Sequence, residues 1–149
     1  MSNLNKTAEE LEQRIRPNTF VTLTLRQGIQ NGVGSFIAGS PQAYQRVMLG
    51  LFKSVNRRLY GKRRWRRKKP PLFNLTVLER SPAGSWHIHA CVKRPDHVTI
   101  EEFRQVIDDC WKSSEWYLPI WQVDDYRGGG VSYILKDGQE GILVGPSYF

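Results

Sequence analysis

Two histidines separated by one residue, His87 and His89, are the side chains in this sequence best suited to chemistry. They lie in an apolar, β-branched run that predicts a strand, and alternate side chains of a strand point to the same face. Two neutral imidazoles side by side can bind a divalent cation. Because an isolated His-x-His pair also arises by chance at surface or core positions, its interpretation depends on its neighbours.

A glutamate on the preceding predicted strand supports the metal interpretation. Segments 72–79 and 85–92 predict two strands joined by a short connection, and a turn centred on Ala83 places Glu79 directly opposite His87. Directly opposed residues have Cβ atoms about 5 Å apart on one face. We expect His87, His89 and Glu79 to form a site for Mn²⁺ or Mg²⁺, although Zn²⁺ or Ni²⁺ can bind such a set more tightly in vitro. With a register slip of one residue, Glu79 is instead a solvated charge at a strand end.

A tyrosine and a lysine near the C-terminus offer a nucleophile and a positive charge. Tyr133 and Lys136 are three residues apart in a helix predicted over 131–137, so the phenol and the ammonium share a face. The ammonium can neutralise negative charge on a phosphate under attack. Asp137 either contacts the metal or its water, or ends the helix as a solvated charge, and both interpretations stay open. The tyrosines without a lysine in the same relation are Tyr44, Tyr60, Tyr117, Tyr126 and Tyr148.

The segments around these residues predict the order βαββαβ. A first helix begins at Pro41 after the capping residue Ser40, and a second begins with a capping box formed by Thr99 and Glu102. A further short helix carries Tyr133. The order is α+β, ferredoxin-like or RRM-like, with a central antiparallel sheet and an extra C-terminal helix. The four strands are predicted over 19–25, 72–79, 85–92 and 117–123.

Length, charge and cysteine content restrict the class of protein. A chain of 149 residues with 40% hydrophobic content suits one domain, whose core we place at about 19–138. The net charge of +8 favours a polyanionic partner, and nucleic acid ranks ahead of an anionic membrane surface. Segment 1–16 is polar and helix-like without an apolar signal-peptide centre, which predicts a cytosolic or nuclear protein. Cys91 and Cys110 are predicted to pack as small hydrophobes.

One segment, 61–71, is strongly basic and is predicted to be an exposed connection after the first helix. Seven lysines and arginines around Trp65 suit an arm that follows phosphates and offers an aromatic surface to a base. A nuclear-localisation signal and a solubilising loop are the alternatives. The predicted DNA-contacting residues are Lys62, Arg63, Arg64, Trp65, Arg66, Arg67, Lys68 and Lys69.

These motifs together resemble those of the HUH endonucleases, and within them the rolling-circle replication initiators of plasmids, phages and small circular single-stranded DNA viruses. The strand segment 22–25 resembles the first motif, His87-Ile-His89 the metal-binding second motif, and Tyr133-Ile-Leu-Lys136 the third. Their order resembles the initiators, because conjugative relaxases carry the catalytic tyrosine near the N-terminus. Two further details resemble the viral initiators: a glutamate, Glu79, shortly before the histidine pair, and the residues Asp137-Gly138 directly after Lys136. The resemblance covers about 19–138.

The resemblance implies an enzyme that nicks and rejoins single-stranded DNA at a replication origin. Tyr133 would form a 5′-phosphotyrosine link, with Lys136 beside it and with Mn²⁺ or Mg²⁺ held by His87, His89 and Glu79. The implied partners are single-stranded DNA or an origin hairpin and a polymerase, without a membrane or a small-molecule substrate. No phosphate-binding loop motif occurs, so a helicase is expected to be encoded separately unless the chain is a fragment. The implied location is cytoplasmic for a plasmid or phage protein and the host nucleus for a eukaryotic virus.

Two other functions fit part of the sequence. A small single-strand transposase of the HUH type also has its tyrosine after the histidine pair, but this group usually has a glutamine, not a lysine, near the tyrosine, so Lys136 argues against it. A non-catalytic, RRM-like nucleic-acid-binding module accounts for the predicted sheet and the basic arm. Such a module needs neither His-x-His nor Tyr-x-x-Lys, and metal-independent binding without cleavage would select it.

Overall fold

A computed structural model describes residues 3–30, 32, 34–66 and 72–149 of the protein, with side chains for 7–30, 32, 34–61 and 72–149. Among the helices in these ranges, none has the length and apolarity needed to cross a membrane. The elements in chain order are α1 (Asn3–Ile15), β1 (Thr19–Thr24), β2 (Gly28–Gln30), β3 (Phe36–Ala38), α2 (Pro41–Arg66), β4 (Asn74–Arg80), β5 (Trp86–Val92), α3 (Ile100–Lys112), β6 (Trp121–Asp125) and α4 (Gly130–Ile134).

Four strands form one antiparallel sheet in the order β4-β5-β1-β6. Together with α2 and α3 they follow the chain order βαββαβ, with the first and third of these strands in the centre of the sheet. The α+β, ferredoxin-like prediction is therefore confirmed. Strands β2 and β3 form a separate hairpin that the sequence did not indicate, because strands of three residues are too short to show a periodic pattern.

Helices cover both faces of this sheet. On one face, alternate residues of β1 such as Val21 and Leu23 pack with α2 and α3 in the main core. On the opposite face, a second apolar cluster joins the sheet to α1 and α4. The apolar residues of each strand are divided between the two clusters because successive side chains of a strand point to opposite faces of the sheet. The buried members of the second cluster are Ala8, Ile15, Leu75, Val77, Cys91, Val131, Ile134 and Leu135.

The predicted helix starts are confirmed. Helix α2 begins at Pro41, and the Ser40 hydroxyl accepts a hydrogen bond from the Ala43 amide at 3.2 Å. Helix α3 begins with the complete capping box, in which the side chains of Thr99 and Glu102 each accept from the other's backbone amide. These caps satisfy amides that a helix cannot bond internally.

Helix α2 extends further than predicted. Its backbone continues to Arg66 across a break at Gly61, which has a φ of 72°. The prediction of a connection that begins at 61 is therefore wrong for the backbone of 62–66, which is helical. The predicted DNA-contacting residues, 62–69, lie outside the ranges for which the structure describes side chains.

The segment after α4 covers the outer edge of β4. The Leu78 amide donates to the Gly141 carbonyl at 2.8 Å, and the Leu143 amide donates to the Thr76 carbonyl at 2.9 Å. A Cβ atom at Gly141 would lie 2.6 Å from the Leu78 carbonyl oxygen, so this close backbone approach requires glycine. Pairing removes an open strand edge. The packed unit thus includes α1 and the C-terminal segment as well as 19–138.

The fourth strand of the sheet begins later than predicted. A strand was expected over 117–123, but β6 begins at Trp121. Pro119 has no amide hydrogen for a ladder, and the Tyr117 amide is already bonded to the Ser114 carbonyl in a turn.

The helix that carries Tyr133 ends earlier than predicted. Helix α4 stops at Ile134, and the chain then forms tighter turns in which the Lys136 amide donates to the Tyr133 carbonyl at 3.2 Å. Lys136 and Asp137 therefore lie just beyond the helix and not within it, which corrects the helix predicted over 131–137.

Candidate functional site

The strand register brings the predicted donor residues to one face of the sheet. Glu79 on β4 lies directly opposite His87 on β5, as the sequence predicted. On the other side of β5, Thr22 of β1 pairs with His89 and Thr24 pairs with His87. Because directly opposed residues share a face, these five side chains project from the face that α1 and α4 partly cover.

His89 is fixed through both of its ring nitrogens. Its Nε2 lies 3.1 Å from Glu79 Oε2, and its Nδ1 lies 3.2 Å from the hydroxyl of Thr22. The Phe20 ring packs beside it, with ring centroids 5.8 Å apart. Burial lowers the pKa of His89 below its ordinary value of 6.5, an effect larger than the opposing attraction of Glu79. Burial thus favours the neutral imidazole, which is the protonation state in which a histidine binds a metal.

Lys136 joins the glutamate to the tyrosine. Its Nζ lies 3.2 Å from Glu79 Oε1 and 4.1 Å from the centroid of the Tyr133 ring. Desolvation alone would lower the pKa of Lys136, but hydrogen bonding and charge attraction from Glu79 and Tyr133 together raise it above its ordinary value. The side chain thus carries a stable positive charge beside the phenol.

Tyr133 projects toward solvent from a helix that is anchored on its other side. The residue is 52% exposed, whereas its helix neighbours Val131 and Ile134 are buried in the second apolar cluster. The edge of the Tyr133 ring meets His89, with centroids 6.1 Å apart and planes at 78°. Glu79, His89, Tyr133 and Lys136 therefore form one contact group, which we call the Tyr133 cluster.

The predicted metal donors come together in part. Glu79 and His89 have donor atoms 3.1 Å apart, and two ligands about 2.1 Å from one octahedral cation are separated by about 3 Å. Among the described residues, no group of three or more His, Cys, Asp or Glu side chains has an arrangement that could hold a metal. The donor types suit a hard divalent cation, and Glu79 and His89 are the two already within range.

Asp137 borders the cluster beside an open cleft. The cleft has a volume of about 400 Å³, and its lining includes Glu79, Arg80, Trp86 and Asp137. The Arg80 guanidinium lies over the Trp86 ring, 5.1 Å from its centroid. Glu140 also lines the cleft, which thus offers an aromatic surface, a cation and three carboxylates next to the Tyr133 cluster.

Three residues at the site were not given a role from the sequence. Thr22 contacts His89. Period-two alternation in the predicted first strand indicates which side chains share a face with Thr22, but it does not indicate which residue Thr22 contacts. The Tyr126 hydroxyl bonds to Glu12 of α1, 114 residues away, and accepts from the Val131 amide at 3.0 Å. Burial, followed by the bond to Glu12, raises the pKa of Tyr126 above its ordinary value. No local pattern indicates such a distant pair.

The chain matches no protein-family model, no curated protein and no solved structure. The resemblance to the HUH endonucleases therefore stays a prediction from three motifs.

Proposed function

We propose that this protein nicks and rejoins single-stranded DNA through a covalent phosphotyrosine intermediate and so initiates rolling-circle replication. The observation that carries the proposal is the Tyr133 cluster. Its members come from β4, β5 and the α4 region, and Glu79 and Tyr133 each contact both His89 and Lys136. A packing tyrosine or a solvated strand-end glutamate would need none of these contacts.

The chemistry assigned to Tyr133 is nucleophilic attack on phosphorus. The phenolic oxygen forms a bond to the phosphate as it loses its proton, the bond from phosphorus to the 3′ oxygen breaks, and that oxygen gains a proton. The products are a 5′-phosphotyrosine and a free 3′-hydroxyl. Because the link to Tyr133 conserves the phosphodiester bond energy, a later 3′-hydroxyl can reverse the step and reseal the strand.

The neighbours of Tyr133 have separate tasks in this proposal. Lys136 stabilises negative charge at the phosphate and at the phenolic oxygen. Glu79 orients Lys136 and His89, one with each carboxylate oxygen, and Thr22 fixes the ring of His89 from the other side. When bound, Mn²⁺ or Mg²⁺ on His87, His89 and Glu79 would supply Lewis-acid polarisation of the scissile phosphate.

The partners follow from the products. A polymerase extends the free 3′-hydroxyl, and a helicase opens the duplex ahead of it. On this proposal the working compartment is the cytoplasm of a plasmid or phage host, or the host nucleus for a eukaryotic virus.

One observation favours the enzyme over an RRM-like binding module. Such a module stacks bases on an open sheet face. Here α1 and α4 pack on the face that carries His87 and His89, while α2 and α3 cover the other face. Tyr133 of α4, which packs on the first of these faces, is 52% exposed, and Lys136 lies over its ring.

The proposal is tested with labelled single-stranded oligonucleotides that cover the candidate origin, with Mn²⁺ or with EDTA. We expect a protein–DNA adduct that resists denaturant, forms only with the metal and is absent from Tyr133→Phe. Tyr148→Phe is the matched control, because Tyr148 is also exposed, at 39%, and lies against Phe73 away from the cluster.

Each other outcome has a distinct meaning. An undiminished adduct in Tyr133→Phe would move the nucleophile to another residue. Tight, metal-independent binding without an adduct on any cognate strand would favour the binding module. Joining of two transposon-type ends with no nicking at an origin would favour the transposase.

A further inference from the structure

The Tyr126 hydroxyl connects α1 to the beginning of α4. It donates a short hydrogen bond to the Glu12 carboxylate of α1 and accepts one from the Val131 amide at 3.0 Å. Val131 precedes Tyr133 by two residues in α4. A single hydroxyl therefore couples the N-terminal helix to the backbone that carries the proposed nucleophile.

The ring of Tyr126 also packs closely against this backbone. A Cβ atom at Gly130 would lie 2.5 Å from the Tyr126 ring and 3.1 Å from the Phe20 ring, which also packs beside His89. Gly129 before it takes the left-handed conformation, with a φ of 72°. The two rings and these glycines fix where α4 begins relative to the sheet.

Helix α4 depends on such contacts because it is short. It has five residues and no side-chain cap at Gly129. A helix of this length is not stable on its own, since nucleation costs more than a few hydrogen bonds return. The Val131 amide has no partner inside the helix, and the Tyr126 hydroxyl supplies one from outside.

We propose that Glu12 and Tyr126 are positioning residues for Tyr133, and that they hold α4 so that the phenol faces His89 and Lys136. Neither residue contacts DNA or the reacting atoms in this proposal. Glu12 fixes the Tyr126 hydroxyl, and that hydroxyl fixes the Val131 amide. The consequence for the cleavage rate rests on the proposed function, whereas the consequence for the order of α4 does not.

The test compares Tyr126→Phe, Glu12→Ala and Glu12→Gln with the wild type in single-turnover cleavage of an origin oligonucleotide. Because small displacements of a reacting group can cost about 100-fold, we expect Tyr126→Phe and Glu12→Ala to cleave roughly 10- to 100-fold more slowly. The concentration at which the single-turnover rate is half-maximal should stay within about twofold, since neither residue binds DNA. Glu12→Gln retains an acceptor oxygen and should recover most of the rate. Tyr117→Phe, a half-buried tyrosine against Trp111, is the control.

A second readout does not need catalysis. We expect faster hydrogen exchange of the Val131 amide in Tyr126→Phe and Glu12→Ala, with wild-type exchange in Tyr117→Phe. Unchanged Val131 exchange would overturn the inference whether or not the chain cuts DNA. Faster exchange with an unchanged cleavage rate would also overturn it, because α4 would then be ordered by Tyr126 without any effect on Tyr133. If the wild type forms no adduct, the proposed function fails while the exchange result still decides whether Tyr126 holds α4.

Discussion

Replacement of Lys136 by methionine separates a catalytic charge from a structural ion pair. The pair between Lys136 and Glu79 is partly exposed, at 39% and 26% of the two side chains, so solvent screens it. Pairs of this kind contribute about 0.2–1 kcal/mol to the free energy of unfolding. By contrast, loss of one group that stabilises transition-state charge costs about 100- to 1,000-fold in rate, or roughly 2.7–4 kcal/mol. We expect Lys136→Met to lose little stability and most of its cleavage rate.

The assay measures both quantities on the same variants. Urea denaturation gives the change in the free energy of unfolding, and single-turnover adduct formation gives the rate. Lys93→Met is the matched control, because Lys93 is 36% exposed and pairs with Asp96 at 3.1 Å, away from the cluster. Lys136→Arg keeps the positive charge and should retain more activity than Lys136→Met.

Equal cleavage rates for Lys136→Met and Lys93→Met would refute this reasoning. A destabilisation of about 1 kcal/mol cannot account for the expected decrease in cleavage rate. A protein whose free energy of unfolding is about 5–15 kcal/mol stays almost fully folded when it loses about 1 kcal/mol. A rate decrease that tracked the unfolded fraction would show that Lys136 acts only through the fold.

Two further predictions concern the fold. Thr99→Ala removes the side-chain acceptor of the capping box on α3 and should lower the free energy of unfolding by about 1 kcal/mol in urea, whereas an unchanged midpoint would contradict the cap. Burial raises the pKa of the Cys91 thiol from 9.0 to about 12. At pH 8 a thiol reagent should therefore label Cys91 only as the protein unfolds, after it has labelled the less buried Cys110. Fast labelling of Cys91 in the Cys110→Ser variant would contradict this prediction. The contribution of Cys91 to stability is complete below pH 9 and is lost as the pH rises from there toward 12, because the unfolded thiol ionises first.

The sequence predicted those parts of the site that depend on neighbouring residues. The β4–β5 register follows from a short connection between two alternating strands, so the placement of Glu79 opposite His87 could be obtained from spacing alone. The start of α3 follows in the same way from Thr99 and Glu102, which are three residues apart.

Features that depend on distant pairing could not be obtained in this way. Thr22 contacts His89 only because β1 lies beside β5, 67 residues later in the chain. Glu12 and Tyr126 meet only after α1 packs against α4. The early end of α4 was also not predicted: tight local turns replace the expected last helical turn before Gly138, which has a φ of 100°.

The most direct test of the proposed function is to map the residue that becomes linked to DNA. Trypsin releases segment 128–136 as a peptide whose single tyrosine is Tyr133, since Arg127 and Lys136 are its flanking cleavage sites. After nuclease digestion of the wild-type adduct, mass spectrometry should find the remaining 5′-phosphonucleotide on this peptide, with fragment ions that assign it to Tyr133 and not to Ser132. A nucleotide found on any other peptide, or on Ser132, would contradict the assignment of Tyr133 as the nucleophile.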